Sequence, residues 1–285
     1  MFKRYNMAAM AGALLVLSIL PAGCVKDAPV LLSGEGLREI VIGVCDDGLD
    51  VGTKATEIKA LPSSLYWGAT TGSGTETVKW SNASATVSSS KINTGKYQTA
   101  SPTAYNYYVS NVSLSVGANT TVSAVNTTDV ICGRTEASTT SSSPTVTLGH
   151  VFARTGSLSL TASGYTLSGV SCTIKSKGSL TGTKGTYNLR TGAWSSVTAL
   201  PSTALGSWTP SGSTATASSD LYLIPGVYTV TVTYTATKSG TSTSRTQSGD
   251  VTLEAGKRYN ITVTPTIISV DIDDSWDTPG GEITP

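Results

Sequence analysis

The sequence predicts an all-β protein, built as two tandem β-sandwich domains behind an export leader. Three observations predict it. Past the N-terminus, no long stretch carries apolar residues at helical spacing. Short runs of alternating apolar and polar residues recur instead, at intervals of about 8–12 residues with turn residues between them, which is the rhythm of a sandwich. The composition agrees: 285 residues with 29 Gly, two Phe and one His, in a chain rich in the threonine and valine of pleated sheets and the glycine and serine of turns.

The elements follow in order. Lys3 and Arg4 precede an apolar run at residues 8–20, long enough for a signal peptide and too short for a spanning helix. Leu20-Pro21-Ala22-Gly23-Cys24 then places small residues before a cysteine, as a lipobox does, with Pro21 where an apolar residue usually stands. Residues 1–23 read as the signal peptide and Cys24 as the lipidation site; an ordinary secretory signal cut nearby is the other reading. Acyl chains on Cys24 would hold the protein on a bilayer, because each buried methylene adds about 0.8 kcal/mol.

Residues 25–36 read as a tether. Residues 40–45 form the first firm strand, with Ile40, Ile42 and Val44 on one face. Further strands are expected at 64–69, 76–80, 85–88, 96–97, 105–109, 111–116 and 129–132. Residues 134–144 (RTEASTTSSSP) are polar without an apolar pattern and read as a loop or linker. The boundary is placed near Ser143, giving domains at 24–143 and 144–285, the second ending in a terminal strand and an acidic tail.

In the second half, Val146, Leu148, His150 and Phe152 share a face. Strands follow at 157–162 and 169–175, then a strand, turn and strand at 187–194. Residues 227–235 (VYTVTVTYT) set Tyr228, Val230, Val232 and Tyr234 against a threonine face turned to water. Runs at 251–253, 259–264 and 267–272 close the chain, the last with Ile268, Val270 and Ile272 on one side.

The net charge is +1, and no basic patch with interleaved aromatics stands out, so no nucleic-acid partner is expected. Beyond Cys24, the cysteines Cys45, Cys132 and Cys172 are odd in number and cannot all pair. Cys172, flanked by Val170 and Ile174, reads as a buried free thiol. No spacing suggests a metal or other cofactor. His150 reads as a bonded core residue rather than a catalyst. Asp271, Asp273, Asp274 and Asp277 read as a solvated acidic tail, lacking the glycine of an EF-hand loop. No catalytic order of residues or phosphate-binding loop is present, so no enzyme is expected. Trp67, Trp80, Trp194 and Trp208, with Tyr105, Tyr107 and Tyr108, suit either core packing or stacking on sugars.

Four motifs taken together resemble a known family. They are the lipoprotein signal followed by a strand and Thr53-Lys54-Ala55; Asp129-Val130-Ile131-Cys132-Gly133; the stretch from Val146 to Arg154 with Leu148, His150 and Ala153 in an L-x-H-x-x-A pattern; and Leu253-Glu254-Ala255-Gly256-Lys257-Arg258-Tyr259 with a final Trp276. In this order they are similar to the fimbrillins, the pilins and pilus-related lipoproteins of Bacteroides-type Gram-negative anaerobes.

The resemblance implies two transthyretin-like β-sandwich domains. It implies export as an outer-membrane lipoprotein, proteolytic removal of an N-terminal segment, and assembly into a surface fimbrium by a donated strand, contributing to adhesion. The implied partners are other pilin subunits, a processing protease, the outer membrane through the lipid anchor, and a host glycan or protein receptor. A sandwich short of an edge strand exposes an apolar slot and unpaired backbone groups; a donated strand satisfies both. Arg38, just before the first firm strand, is the candidate cleavage point, with a plain surface arginine as the other reading. Ile268, Val270 and Ile272 mark the candidate donor strand, with an ordinary last strand as the other reading. The alternative function is that of a surface lipoprotein binding glycans through exposed aromatics.

Overall fold

Strands account for every regular element of the computed structural model, which describes residues 37–46, 61–71, 77–99, 104–138 and 143–273. The leader with Cys24, the Thr53-Lys54-Ala55 motif, Asp274, Trp276 and Asp277 lie outside the described residues. The first nine strands are β1 (Leu37–Asp46), β2 (Ser64–Thr71), β3 (Thr77–Ser88), β4 (Lys91–Thr99), β5 (Ala104–Ser110), β6 (Leu114–Ser115), β7 (Thr121–Val125), β8 (Ile131–Ser138) and β9 (Thr145–His150).

Seven of these form a closed barrel in the order β1-β4-β3-β2-β5-β8-β9. Two stacked sheets with open edges were expected; here one ring of strands returns on itself. It does so because β1 pairs antiparallel with β4 on one flank and parallel with β9 on the other, so that both flanks of β1 meet a neighbour. Ile40, Ile42 and Val44 from β1 and Val146 and Leu148 from β9 bury inside it with Trp67, Tyr107 and Ile92. β8 and β9 approach so closely at Gly133 that a Cβ there would stand 1.9 Å from the Thr147 carbonyl oxygen. Only a residue without a side chain fits.

Residues 134–138, expected as part of a loop, continue β8. They pair with β5 from Tyr108↔Arg134 to Ala104↔Ser138. The ladder needs backbone groups rather than apolar side chains, and the Arg134 guanidinium adds bonds of 2.7 and 3.2 Å to Asn106 Oδ1.

The remaining strands are β10 (Ala153–Thr161), β11 (Thr166–Ser176), β12 (Lys184–Asn188), β13 (Trp194–Thr198), β14 (Thr203–Ala204), β15 (Thr209–Ser211), β16 (Thr214–Ser218), β17 (Tyr222–Leu223), β18 (Gly226–Lys238), β19 (Thr241–Leu253), β20 (Arg258–Val263) and β21 (Ile268–Asp273). Most of them build a sandwich. One sheet runs β15-β16-β10-β20-β21, with β17 also on β10; the other runs β14-β11-β18-β19. Tyr228, Val230 and Val232 of β18 share a core with Leu158 and Leu160 of β10 and Ile261 and Val263 of β20.

The outward threonines of β18 meet β19 through hydroxyl contacts: Thr229 to Asp250 at 2.9 Å, Thr231 to Ser248 at 2.8 Å and Thr233 to Thr246 at 3.3 Å. β19 starts ten residues earlier than the run expected at 251–253, because it follows β18 in unbroken register from Lys238↔Thr241 to Gly226↔Leu253.

A small third sheet, β13-β12-β7-β6, crosses the boundary placed near Ser143. β7, from before it, pairs with β12, from after it, between Lys184↔Val125 and Asn188↔Thr121. Beneath it lies a third core that includes Tyr108, Val122, Val151, Phe152 and Ile224. Phe152 is fully buried, its ring 5.5 Å from that of Trp194 and 6.2 Å from that of Tyr222. The two halves are therefore expected to unfold in one calorimetric transition. Phe152→Ala should lower stability by about 3–5 kcal/mol without splitting that transition in two.

Candidate functional site

The strand that closes the barrel is held unevenly. The N-terminal part of β1 bonds to β4 through Leu37↔Thr99, Arg38↔Gln98 and Glu39↔Tyr97. The register then slips, and pairing resumes at Val41↔Asn93. β4 takes up the slack as a bulge around Gly95, whose φ is 62°. Thr94 Oγ1 donates to the Ile40 carbonyl oxygen at 2.6 Å and accepts from the Lys96 N–H at 3.1 Å.

The C-terminal end of β1 bonds to β9 from Gly43↔Thr145 to Asp46↔Leu148, with Gly43 N–H donating to the Pro144 carbonyl at 2.8 Å. The two ladders overlap only around Gly43. Side-chain burial therefore matters most. Ile40, Ile42 and Val44 are each 1% exposed or less, and each contributes roughly 1.5–3 kcal/mol as an upper bound.

Arg38 lies within β1, not ahead of it, and its backbone is paired with Gln98. A cut there leaves Glu39 through Asp46 seated in the barrel. Ile268, Val270 and Ile272 lie on β21, which pairs antiparallel with β20 at the edge of its sheet. Ile268 packs against Gly249 of β19, where a Cβ would come within 3.3 Å of it. The candidate cleavage point and the candidate donor thus sit in separate bodies, one in the barrel and one in the sandwich.

His150 ends β9 at the step from barrel to sandwich. It is buried, with Nδ1 2.7 Å from Asp129 Oδ2. Four residues on, Arg154 donates to both carboxylate oxygens of Asp220, through Nε and, at 2.9 Å, through Nη2, and lies over the Tyr222 ring. Burial is the largest single effect and opposes its charge, but the bond to Asp220 together with the nearby Tyr222, Asp220 and Asp129 outweighs it and raises the Arg154 pKa. The His150–Asp129 contact and the Arg154–Asp220 ion pair pin the junction. No local signal marks them in sequence, because Arg154 and Asp220 are brought together only by the fold.

The aromatic candidates pack against their own chain. Trp67 is buried, and Trp80 sits 6.0 Å from it and 5.4 Å from Tyr105. Trp194 lies 5.2 Å from Tyr187, and the Trp208 indole N–H donates to the Leu205 carbonyl at 3.1 Å. Tyr107 donates to Gln98 Oε1 at 2.8 Å inside the barrel, where burial raises its pKa. Tyr105 and Tyr108 are buried.

The pattern of the fimbrillin-like family matches residues 65–275. The chain belongs to the fimbrillin-like family. The match runs from within β2 to just past β21, so β1 lies outside it. Several solved structures are similar. A proposed adhesin from Bacteroides thetaiotaomicron is 8% identical, with a TM-score of 0.47 over 84% of this chain and 97% of that one. A proposed cell adhesion protein from Bacteroides eggerthii is 18% identical, with a TM-score of 0.42 over 86% and 97%. Another from Parabacteroides distasonis is 10% identical, with a TM-score of 0.42 over 86% and 100%. No curated protein matches the chain.

In this fimbrillin-like chain the thiols report on β1. Cys132 and Cys172 are buried, and burial pushes both up to about 12. Cys45, on β1, is half-buried, its Sγ 3.5 Å from Thr147 Oγ1. Alkylation of the native protein near pH 8 is expected to modify Cys45 and spare the other two, as read by peptide mass mapping. Any condition that unseats β1 should speed the Cys45 reaction alone.

Proposed function

We propose that the protein is a structural fimbrial subunit, exported as an outer-membrane lipoprotein through Cys24, that assembles at the cell surface by strand exchange in the seat of β1 and contributes to adhesion. The observation that supports it best is the closure of the barrel by a terminal strand with a broken ladder and three buried side chains. Membership of the fimbrillin-like family supports the adhesive, surface-borne role.

The physical steps follow from that seat. Cleavage at Arg38 by a processing protease separates the strand from its lipid anchor and frees its N-terminal end. An incoming strand from another subunit then displaces residues 39–46. It gains the backbone bonds of β4 and β9 and fills the pockets left by Ile40, Ile42 and Val44. The Ile268, Val270, Ile272 series of β21 has the same two-residue spacing, which suits it as donor. The role is architectural, with no reaction at a pocket, and any host receptor is met by the assembled fibre. The inward packing of the tryptophans does not favour the glycan-binding alternative.

The test is a chain that begins at Leu61 and so lacks β1. It should form oligomers that survive mild denaturant, and an added peptide of residues 37–46 should cap them. A shortened chain that folds, shows native circular dichroism and stays monomeric at high concentration would rule strand exchange out.

A further inference from the structure

A groove of about 440 Å³ opens between the turn after β11 and the start of β18, lined by Lys177, Gly178, Ser179, Leu180, Thr181 and Val227. Its apolar side chains face outward: Leu180 is 62% exposed and Val227 37%. The turn that carries Leu180 is nonetheless well tied. Thr181 is buried, and its Oγ1 donates to the Gly178 carbonyl at 2.9 Å. Ser176 Oγ donates to the Thr181 carbonyl at 2.7 Å, and the Lys177 N–H donates to the Val227 carbonyl at 3.1 Å. A concave apolar surface on a fixed frame is where a ring or aliphatic side chain binds.

The described residues end at the same end of the sandwich. β21 stops at Asp273, which pairs with Arg258. One turn separates Arg258 from Leu253, and Leu253 pairs with Gly226, the neighbour of Val227. β21 and β19 lie at one edge of the sandwich, where Ile268 meets Gly249. Stacked sheets are about 10 Å apart. An extended chain covers about 10 Å from Asp273 to Trp276, and the indole reaches past that.

The residues that follow match the groove in kind. Asp274-Ser275-Trp276-Asp277 sets an aromatic ring between two carboxylates. The groove offers an apolar floor with cations at its rim. Lys177 is paired with Asp250. Lys175, exposed and opposite Thr229 on the same outward face, meets no carboxylate among the described residues.

We infer that residues 274–277 fold back onto their own sandwich, with the Trp276 ring between Leu180 and Val227 and its flanking carboxylates toward Lys175. Burial of the ring supplies the attraction. The short tether to β21 keeps the ring at an effective concentration of about millimolar, so a modest contact suffices. The charges select the orientation more than they add strength. The tail then holds the C-terminal end of β21, as the packing of Ile268 on Gly249 holds the other. The contact uses no step of strand exchange and stands apart from that reading; where β21 serves as donor, the tail comes off first.

The test uses the exported chain with no acyl group. The fluorescence of Trp276 is obtained by subtracting that of Trp276→Phe, and its quenching by acrylamide is compared with that of a free peptide of residues 274–285. In the wild type Trp276 should emit to the blue of the peptide and be quenched severalfold less, at every protein concentration. Leu180→Asp, at an exposed position, should shift the balance toward the free tail at least about tenfold. Lys175→Glu should shift it the same way, by about two- to fivefold. Circular dichroism like that of the wild type shows that each variant is folded. Quenching in the wild type equal to that of the peptide would overturn the inference, as would shielding that persists in either folded variant. Shielding lost on dilution would assign the groove to the tail of a second copy and overturn it too.

Discussion

Everything in the first half of the molecule depends on a ring being closed by its first strand. β1 is antiparallel to one neighbour and parallel to the other. The price is a ladder divided between two partners and broken by the bulge at Gly95. Besides those two ladders, the strand is held by the burial of Ile40, Ile42 and Val44 among Trp67, Ile92 and Val146.

The second half is organised differently. Its core comes from two sheets, and its longest hairpin, β18 with β19, keeps one register over thirteen residue pairs. The halves are not beads on a linker. A sheet shared by β7 and β12, a third core around Phe152, the contact of His150 with Asp129 and the ion pair of Arg154 with Asp220 join the two halves.

Much of this was legible in the sequence, where alternation was one-sided. The VYTVTVTYT run gave its inner tyrosines and valines and its threonine face correctly, because β18 is buried on one face only. Cys172 was readable as a core thiol, and His150 as a core residue, for the same reason. β19 was mostly invisible, since TSTSRTQSGD is polar on both faces and owes its strand to its partner. Residues 134–138 look like a loop in sequence, yet polar side chains do not prevent a ladder. The shared sheet could not be foreseen, since nothing local says that residues 121–125 will pair with 184–188. The seat of β1 was half legible: its apolar triplet was plain, its second neighbour was not, and so Arg38 was placed before the strand instead of inside it.

The shared sheet also bears on mechanics. Tension applied across the two halves does not run through the short connection from His150 to Ala153 alone. The β7–β12 ladder lies alongside that connection, and its five residue pairs carry load with it. Stretching the junction must therefore break several hydrogen bonds and uncover Phe152 together, so the molecule yields as one stiff unit and not as two domains drawn apart on a string.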